Sequence, residues 1–392
     1  MRSIFLGRGG GSSFLVWLSV FLIFMGNVRI PIGGSELYTP IAIFPVLILL
    51  FFRLLRLKVL IGAFALIGVL VSGFISSLNS EYVSSIRALA AVFPVVMAIL
   101  LIVSVGRGDD YSYLIRSGIL CGGSILAVWV IILSSKAILS GLPYYEAKMI
   151  IETPLGRSNY LSIFILVFLS FSFGESLVYK ILGVISLLLL SFYSRGGALI
   201  LILFLFLALF SNFKDLRLRL LVGIFLLLTC SAIILFGIEG LYAFLFDSSD
   251  FDYFESAGNR VQLWLAAIDL IKESPFYGIG PNGFRSAVEQ RGLEDVWGPH
   301  NSILLLWLNY GIIGMASYGI YVYFTIRVVS NGSNPDPNYP GIFLLVALLF
   351  SMFEPAVGSA NFEMLLASLY LWGVSHPKNI VISNNLNYIQ EG

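Results

Sequence analysis

Long apolar segments alternate with short polar ones along most of the 392 residues. A bilayer hydrocarbon core about 30 Å thick is crossed by about 20 helical residues, and about 17 can suffice. A window of this length predicts an all-α polytopic membrane protein with twelve transmembrane helices. They lie near residues 12–28, 38–54, 57–76, 83–105, 113–134, 157–173, 177–193, 196–211, 217–237, 312–330, 340–355 and 360–375.

Composition supports this fold class. Hydrophobic residues make up 58% of the chain, charged residues 11%, and the mean hydropathy is +0.93, whereas soluble domains carry about 25% charged residues. These values exclude a soluble globular domain, a nucleic-acid-binding protein and a disordered chain. An apolar run follows Arg2 and Arg8 as in a signal peptide, but no small-residue cleavage site follows it. We therefore expect an uncleaved first helix.

The distribution of cations predicts the orientation. An even number of spans places both termini on one side, and cytoplasmic loops carry an excess of Lys and Arg. With the termini in the cytoplasm, thirteen cations fall on the cytoplasmic side and six in the short outer loops and outer helix ends. We expect both termini to be cytoplasmic.

One long polar segment divides the chain. We expect transmembrane helices 1–9 in residues 1–237, a large extracytoplasmic loop in 238–311, and helices 10–12 with a cytoplasmic tail in 312–392. A loop of this length is expected to carry structure of its own.

The sequence of this loop predicts three local features. Apolar residues from Val261 to Ile271 follow the spacing of an amphipathic helix, with Asn259 as its N-cap and Ser274-Pro275 as its end. A glycine-rich tight turn follows at residues 278–283. A short helix is then expected over residues 300–310, with breaks at Gly311 and Gly314.

Three arginines stand where transmembrane helices begin on the predicted outer side: Arg87, Arg157 and Arg195. The free N–H groups and the dipole of a helix N-terminus favour an anion there and disfavour a cation. A bound phosphate group would account for these placements, since arginine donates two parallel hydrogen bonds to it. The alternative is that these arginines reach lipid headgroups or pair with loop acids. Gly196 beside Arg195 favours the ligand, because it lets another group approach the backbone.

The loop region adds further candidates. Arg260 lies in the amphipathic helix and can close over the same site or pair with Glu255. His300, followed by Asn301, can accept a proton from a hydroxyl group near neutral pH, or can be an ordinary polar residue. Glu354 is a second candidate base, or an acid of the membrane interface.

Metal and disulfide chemistry have little support in the sequence. Cys121 and Cys230 both lie in apolar segments, and the chain has two histidines. This pattern has no spacing typical of metal ligands. We expect no metal and no cofactor.

Four motifs in this order resemble the bacterial O-antigen ligase and O-antigen polymerase superfamily. They are Ser194-Arg195-Gly196-Gly197-Ala198, Asn259-Arg260-Val261-Gln262-Leu263-Trp264, the segment from Glu273 to Phe284, and His300-Asn301-Ser302 with Gly311 and Gly314. The resemblance covers residues 155–330, and the twelve-helix layout with one large periplasmic loop extends it to the whole chain.

The resemblance implies a metal-independent, inverting membrane glycosyltransferase, related in fold to the type C group, with a periplasmic active site in the inner membrane. Such enzymes transfer a glycan from undecaprenyl pyrophosphate to an acceptor hydroxyl on a glycan or on lipid A-core, and a chain-length regulator can be a partner. By motif, Arg195 and Arg260 bind the pyrophosphate and His300 activates the acceptor. We expect a supporting set in the substrate site: Arg157, Arg87, Gly196, Asn301 and Glu354.

The specific reaction stays open at this point. The low charge, the 32 phenylalanines and the short tail favour a polymerase of O-antigen, capsule or exopolysaccharide repeat units over a ligase. A flippase or transporter of lipid-linked sugars is a more distant alternative. Carriers often contain internal repeats, and the pattern of spans has none.

Overall fold

A computed structural model describes residues 10–32, 35–52, 61–83, 85–105, 111–142, 144–212, 253–291, 298–332, 339–351, 356 and 358–375. These residues are mostly helical. Numbered in chain order, the described helices are α1 (Gly10–Ile23), α2 (Ile43–Phe52), α3 (Ile61–Asn79), α4 (Ser85–Val105), α5 (Ser112–Leu139), α6 (Tyr144–Ile150), α7 (Ser158–Ser172), α8 (Leu177–Tyr193), α9 (Arg195–Asn212), α10 (Tyr253–Glu273), α11 (Gly283–Gln290), α12 (Ser302–Gly332), α13 (Tyr339–Phe350) and α14 (Ala360–Val374). Two antiparallel hairpins join them, β1 (Asn27–Ile32) with β2 (Ser35–Pro40), and β3 (Glu152–Thr153) with β4 (Gly156–Arg157).

Three of the described helices are long and apolar enough to cross a membrane: Ile61–Asn79, Ser112–Leu139 and Ser302–Asn331. Six further helices have shorter apolar stretches. Eleven of the twelve predicted spans contain a described helix, and the span predicted at residues 217–237 lies outside the described residues. A membrane location agrees with these helices, while the number of twelve spans stays a prediction.

The first two predicted spans are shorter than expected. Helix α1 ends at Ile23, and Gly26, at a φ of 91°, turns the chain into the β1–β2 hairpin. Residues predicted as the end of one span and the start of the next therefore form strands. Asn27 also donates its backbone N–H to the Pro154 carbonyl at 3.1 Å, which attaches the second hairpin to the first.

The helices pack into a bundle in which α12 lies along α3 and contacts α14, while α4 packs against α14 and α3. Its core is filled by fully buried aromatic and aliphatic side chains, among them Phe164, Phe168 and Tyr321. Gly373 of α14 lies against the backbone of Val328, where a Cβ would stand 2.7 Å from the carbonyl carbon. Small residues at such crossings let apolar helices approach closely.

The loop segment builds a second, smaller core. Helices α10 and α11 pack against the start of α12, and their contact buries Leu263, Leu270, Phe284 and Leu308. Helix α10 ends at Glu273, which confirms the end predicted before Ser274-Pro275.

The predicted start of α10 is wrong. The helix begins at Tyr253, so the expected N-cap Asn259 lies inside it. The residues before Asn259 continue the same helix, so this position does not have the extended backbone of a cap.

The tight turn at residues 278–283 and one of the two helix breaks that follow it were predicted. Gly278, Gly280 and Asn282 have φ values of 74°, 90° and 63°, which confirms a tight turn. Helix α12 is interrupted at Gly311, where φ is 61° and ψ is −175°, because the backbone carbonyl of Phe276 lies against it. The second predicted break is wrong, since Gly314 is helical.

Candidate active site

A cavity of about 370 Å³ lies where α7 and α12 begin and where α6 and α13 end. His300 and Arg157, which are far apart in the sequence, both line it. The other lining residues are Lys148, Met149, Ser158, Asn159, Tyr160, Ile163, Phe350 and Ala356. Two predicted site residues are therefore brought together at one end of the bundle.

Arg157 occupies the N-cap position of α7 in an extended conformation, with φ −92° and ψ 174°. Strand β4 carries it, paired to Glu152 of β3. Its Nε lies 3.6 Å from a carboxylate oxygen of Glu152, and the two side chains are 60% and 48% exposed. An ion pair this exposed is weak, so the guanidinium can still bind an anionic ligand.

Lys148 adds a second cation to the cavity wall. It lies in the last turn of α6, the short helix before the β3–β4 hairpin. Lys148 is one of the six cations on the predicted outer side, but nothing in the sequence assigns it to the site. Lys148, Arg157 and the first turn of α7 together favour an anion in this cavity.

His300 lies in the left-handed region, at a φ of 47°, just before α12. The next residue, Asn301, caps that helix: its Oδ1 accepts the N–H groups of Ile303 at 3.0 Å and Leu304 at 3.1 Å. The capping of α12 accounts for Asn301 without a ligand, and its expected contact with substrate stays a prediction.

The loop helix holds the backbone that carries His300. Trp264 of α10 donates its indole N–H to the carbonyl of Pro299 at 2.7 Å. Arg260 lies on the same helix, four residues earlier, so about one turn separates it from Trp264. From the sequence, Trp264 was predicted only as part of the apolar stripe, and this hydrogen bond was missed. A general rule could have indicated it, because the indole N–H of a tryptophan usually has a hydrogen-bond partner when it is buried.

The start of α9 is attached to the cavity wall. Ser194 caps the helix by accepting the N–H of Gly197 at 2.8 Å, and its hydroxyl donates to Oδ1 of Asn159, a lining residue. Arg195 and Gly196 are the first two residues of α9. The predicted position of Arg195 at a helix start is thus confirmed, and its role in the site stays a prediction.

The structure does not describe the side chains of two other predicted residues. Arg87 stands in the first turn of α4, as expected from the sequence. Helix α4 packs against α14 and α3, and the part of Arg87 in the site stays a prediction. Glu354 lies outside the described residues, so its role stays a prediction.

Comparison with protein families gives the decisive observation. Residues 181–319 match the family model described as O-antigen ligase. This part of the chain is similar to the O-antigen ligase family. The resemblance to the O-antigen ligase and polymerase superfamily is thereby confirmed, and the matched segment contains Arg195, Arg260 and His300. No curated protein matches the chain.

The matched segment forms only part of the cavity. It includes most of α8, all of α9, the described loop helices and the first part of α12, so it supplies His300. Arg157 and Lys148 come from residues before this segment. The broad class that follows is a membrane glycosyltransferase of the O-antigen ligase and polymerase type.

Proposed function

We propose that this protein transfers a glycan from undecaprenyl pyrophosphate to an acceptor hydroxyl on the periplasmic face of the inner membrane. The observation that carries the proposal is the shared cavity of His300, Arg157 and Lys148. A hydroxyl attack that displaces a pyrophosphate needs a proton acceptor and cations for the developing negative charge. The predicted orientation places these residues on the outer side.

In the proposed reaction, the acceptor oxygen forms a bond to the anomeric carbon while the bond from that carbon to the pyrophosphate oxygen breaks. The configuration at this carbon inverts. His300 takes the hydroxyl proton and later releases it to solvent. The electron pair of the broken bond leaves with undecaprenyl pyrophosphate, and its charge is stabilised by Arg195 and Arg260, with Arg157, Arg87 and Lys148 assisting.

The size of the cavity limits what it holds. A volume of about 370 Å³ is at the lower end of the range of about 300–1,000 Å³ typical of small-molecule sites. It suits the reacting groups, namely the pyrophosphate and an adjoining sugar, better than a whole polysaccharide. The lipid tail then lies along the apolar bundle, and the rest of the glycan extends past α10.

The acceptor distinguishes two reactions. We propose polymerisation, in which the growing chain is passed to the next lipid-linked repeat unit of an O-antigen, capsule or exopolysaccharide. The low share of charged residues and the 32 phenylalanines favour this reaction over ligation to lipid A-core. A chain-length regulator is then the expected protein partner.

Surface polysaccharide from a deletion strain, compared with its parent on a gel, tests the proposal. A polymerase leaves lipid A-core with a single repeat unit and no ladder. Bare lipid A-core with long polymer on undecaprenyl pyrophosphate would identify a ligase instead. Bare core with unpolymerised repeat units held in the cytoplasmic leaflet would identify a carrier and overturn the proposal, as would an unchanged ladder.

Substituting Trp264 by phenylalanine tests whether α10 positions His300. Loss of the hydrogen bond to Pro299, worth about 1 kcal/mol, should lower the rate of transfer about three- to tenfold and leave the amount of inserted protein unchanged. Trp307→Phe is the matched control, because it removes an indole hydrogen bond of 2.9 Å to Pro275 in the same small core. Equal rates for the two variants would contradict the positioning role.

A further inference from the structure

Glu363 is a carboxylic acid in the interior of the helix bundle. It lies on α14, inside the span predicted at residues 360–375, and its side chain is fully buried. Among the residues whose burial is described, it is the only Asp, Glu, Lys or Arg that is buried. Ionisable groups within a membrane segment are costly to bury and commonly serve function.

The hydrogen bonds of Glu363 are directed to one of its two oxygens. Oε1 accepts the hydroxyl of Tyr318 at 2.8 Å and the backbone N–H of Gly358 at 2.9 Å. Oε2 is buried without a hydrogen-bond partner among the described residues. A carboxylate that only stabilised the bundle would be expected to use both oxygens, because unsatisfied buried polar atoms are destabilising.

These two bonds join the carboxylate to α12 and to the segment just before α14. Gly358, at a φ of 87°, belongs to the turn between the lining residue Ala356 and the start of α14. Tyr318 belongs to α12, the helix that begins just after His300.

The same turn contacts the cavity wall through the next residue. Ser359 follows Gly358, and its hydroxyl forms a hydrogen bond with the hydroxyl of Tyr160. Tyr160 lines the cavity from α7, the helix capped by Arg157. The turn closed by the hydrogen bond from the Ser359 N–H to the Ala356 carbonyl, at 3.2 Å, therefore links Glu363 to the cavity wall.

We propose that Glu363 is a positioning residue that fixes this turn, and with it Tyr160 and Ala356, against the transfer site. It accepts hydrogen bonds and does not itself react. The inference rests on the proposed function, because it assigns Glu363 to that same site. Without the carboxylate, the N–H of Gly358 and the hydroxyl of Tyr318 lose their acceptor, and the turn is free to move.

Rates of purified variants test the inference. The donor is undecaprenyl-pyrophosphate-linked glycan extracted from a strain that lacks the protein. Glu363→Ala should lower kcat at least about tenfold, because two buried donors lose their acceptor. Glu363→Gln should stay within about threefold of the wild-type protein, since its amide oxygen can accept both bonds. Ser368→Ala is the matched control, a buried hydroxyl on the same helix that donates to the carbonyl of Met364.

Three outcomes would overturn the positioning role. Equal losses in Glu363→Gln and Glu363→Ala would mean that the carboxylate itself carries a proton or a charge in the reaction. An unchanged kcat and KM in Glu363→Ala would remove any role in transfer. A lower yield of folded protein with an unchanged rate per folded molecule would reduce Glu363 to a structural residue.

A second measurement does not depend on activity. In a background with Cys121 and Cys230 replaced by serine, Ala356→Cys reports on the turn through its rate of labelling by a small thiol reagent. We expect Glu363→Ala to speed labelling several-fold and Glu363→Gln to leave it unchanged. If the wild-type protein transfers no glycan yet labelling responds in this way, the proposed function fails, and only the hold of Glu363 on the turn stands. Unchanged labelling in Glu363→Ala overturns the positioning role itself.

Discussion

Substituting His300 by alanine should lower the rate of glycan transfer by about 10²–10⁴-fold, the contribution typical of a general base. Arg157 and Lys148 line the same cavity as His300, so donor binding should survive and the KM for the lipid-linked donor should change little. The loss should appear in kcat. Initial rates of the purified variant, measured at several donor concentrations, separate the two parameters.

The other histidine of the chain provides the matched control. His376→Ala makes the same change outside the described residues, in the predicted cytoplasmic tail, and should leave both parameters unchanged. A His300→Ala protein that is inserted normally and transfers glycan at the wild-type rate would remove the proton-acceptor role. A raised KM with an unchanged kcat would instead make His300 a binding residue.

The helix starts were predictable because their signal is local. An apolar run of span length after a polar segment predicts the start of a helix, and Arg87, Arg157 and Arg195 all lie where a helix starts in the structure. The loop helix was predicted from its apolar stripe, although its first residues were missed. The apolar stripe shows which face of this helix is buried. The first residue of the helix depends instead on whether the polar residues before the stripe continue the helix.

The cavity could not be predicted, because its walls come from segments that meet only in the folded bundle. Arg157 precedes α7 and His300 precedes α12, and the β3–β4 hairpin that carries Arg157 has only four paired residues. Strands this short leave no clear alternation in the sequence.

Glu363 had a local signal that was overlooked. An acidic residue inside an apolar span is by itself a reason to propose a functional role. A hydropathy window hides this signal, because one charged residue changes the mean hydropathy of about 20 residues only slightly. The contacts that give this acid a specific role involve Tyr318 and Gly358. Only the packed structure identifies these partners, so the sequence alone could indicate that Glu363 matters but not what it holds.

Substituting Arg195 by alanine should reduce glycan transfer by about 10²–10³-fold, the loss seen when a donor to a developing negative charge is removed. The hydroxyl of Ser194 connects the start of α9 to Asn159 of the cavity wall, and the backbone of residue 195 follows Ser194 directly. Arg195→Lys should recover part of the rate, because it keeps the charge and loses the two-pronged hydrogen bonding of the guanidinium.

Complementation of a deletion strain, scored by the polysaccharide ladder and by the amount of protein in the membrane, measures this effect. Arg327→Ala is the matched control, since Arg327 is an exposed arginine in the second half of α12, on the predicted cytoplasmic side. A normal ladder from a stably inserted Arg195→Ala protein would contradict the pyrophosphate assignment. A lost ladder with little Arg195→Ala protein in the membrane would indicate a folding defect, and Arg195→Lys then tests the pyrophosphate assignment. If the assignment is correct, the lysine variant is inserted at the wild-type level but transfers glycan only in part, because lysine lacks the planar guanidinium group.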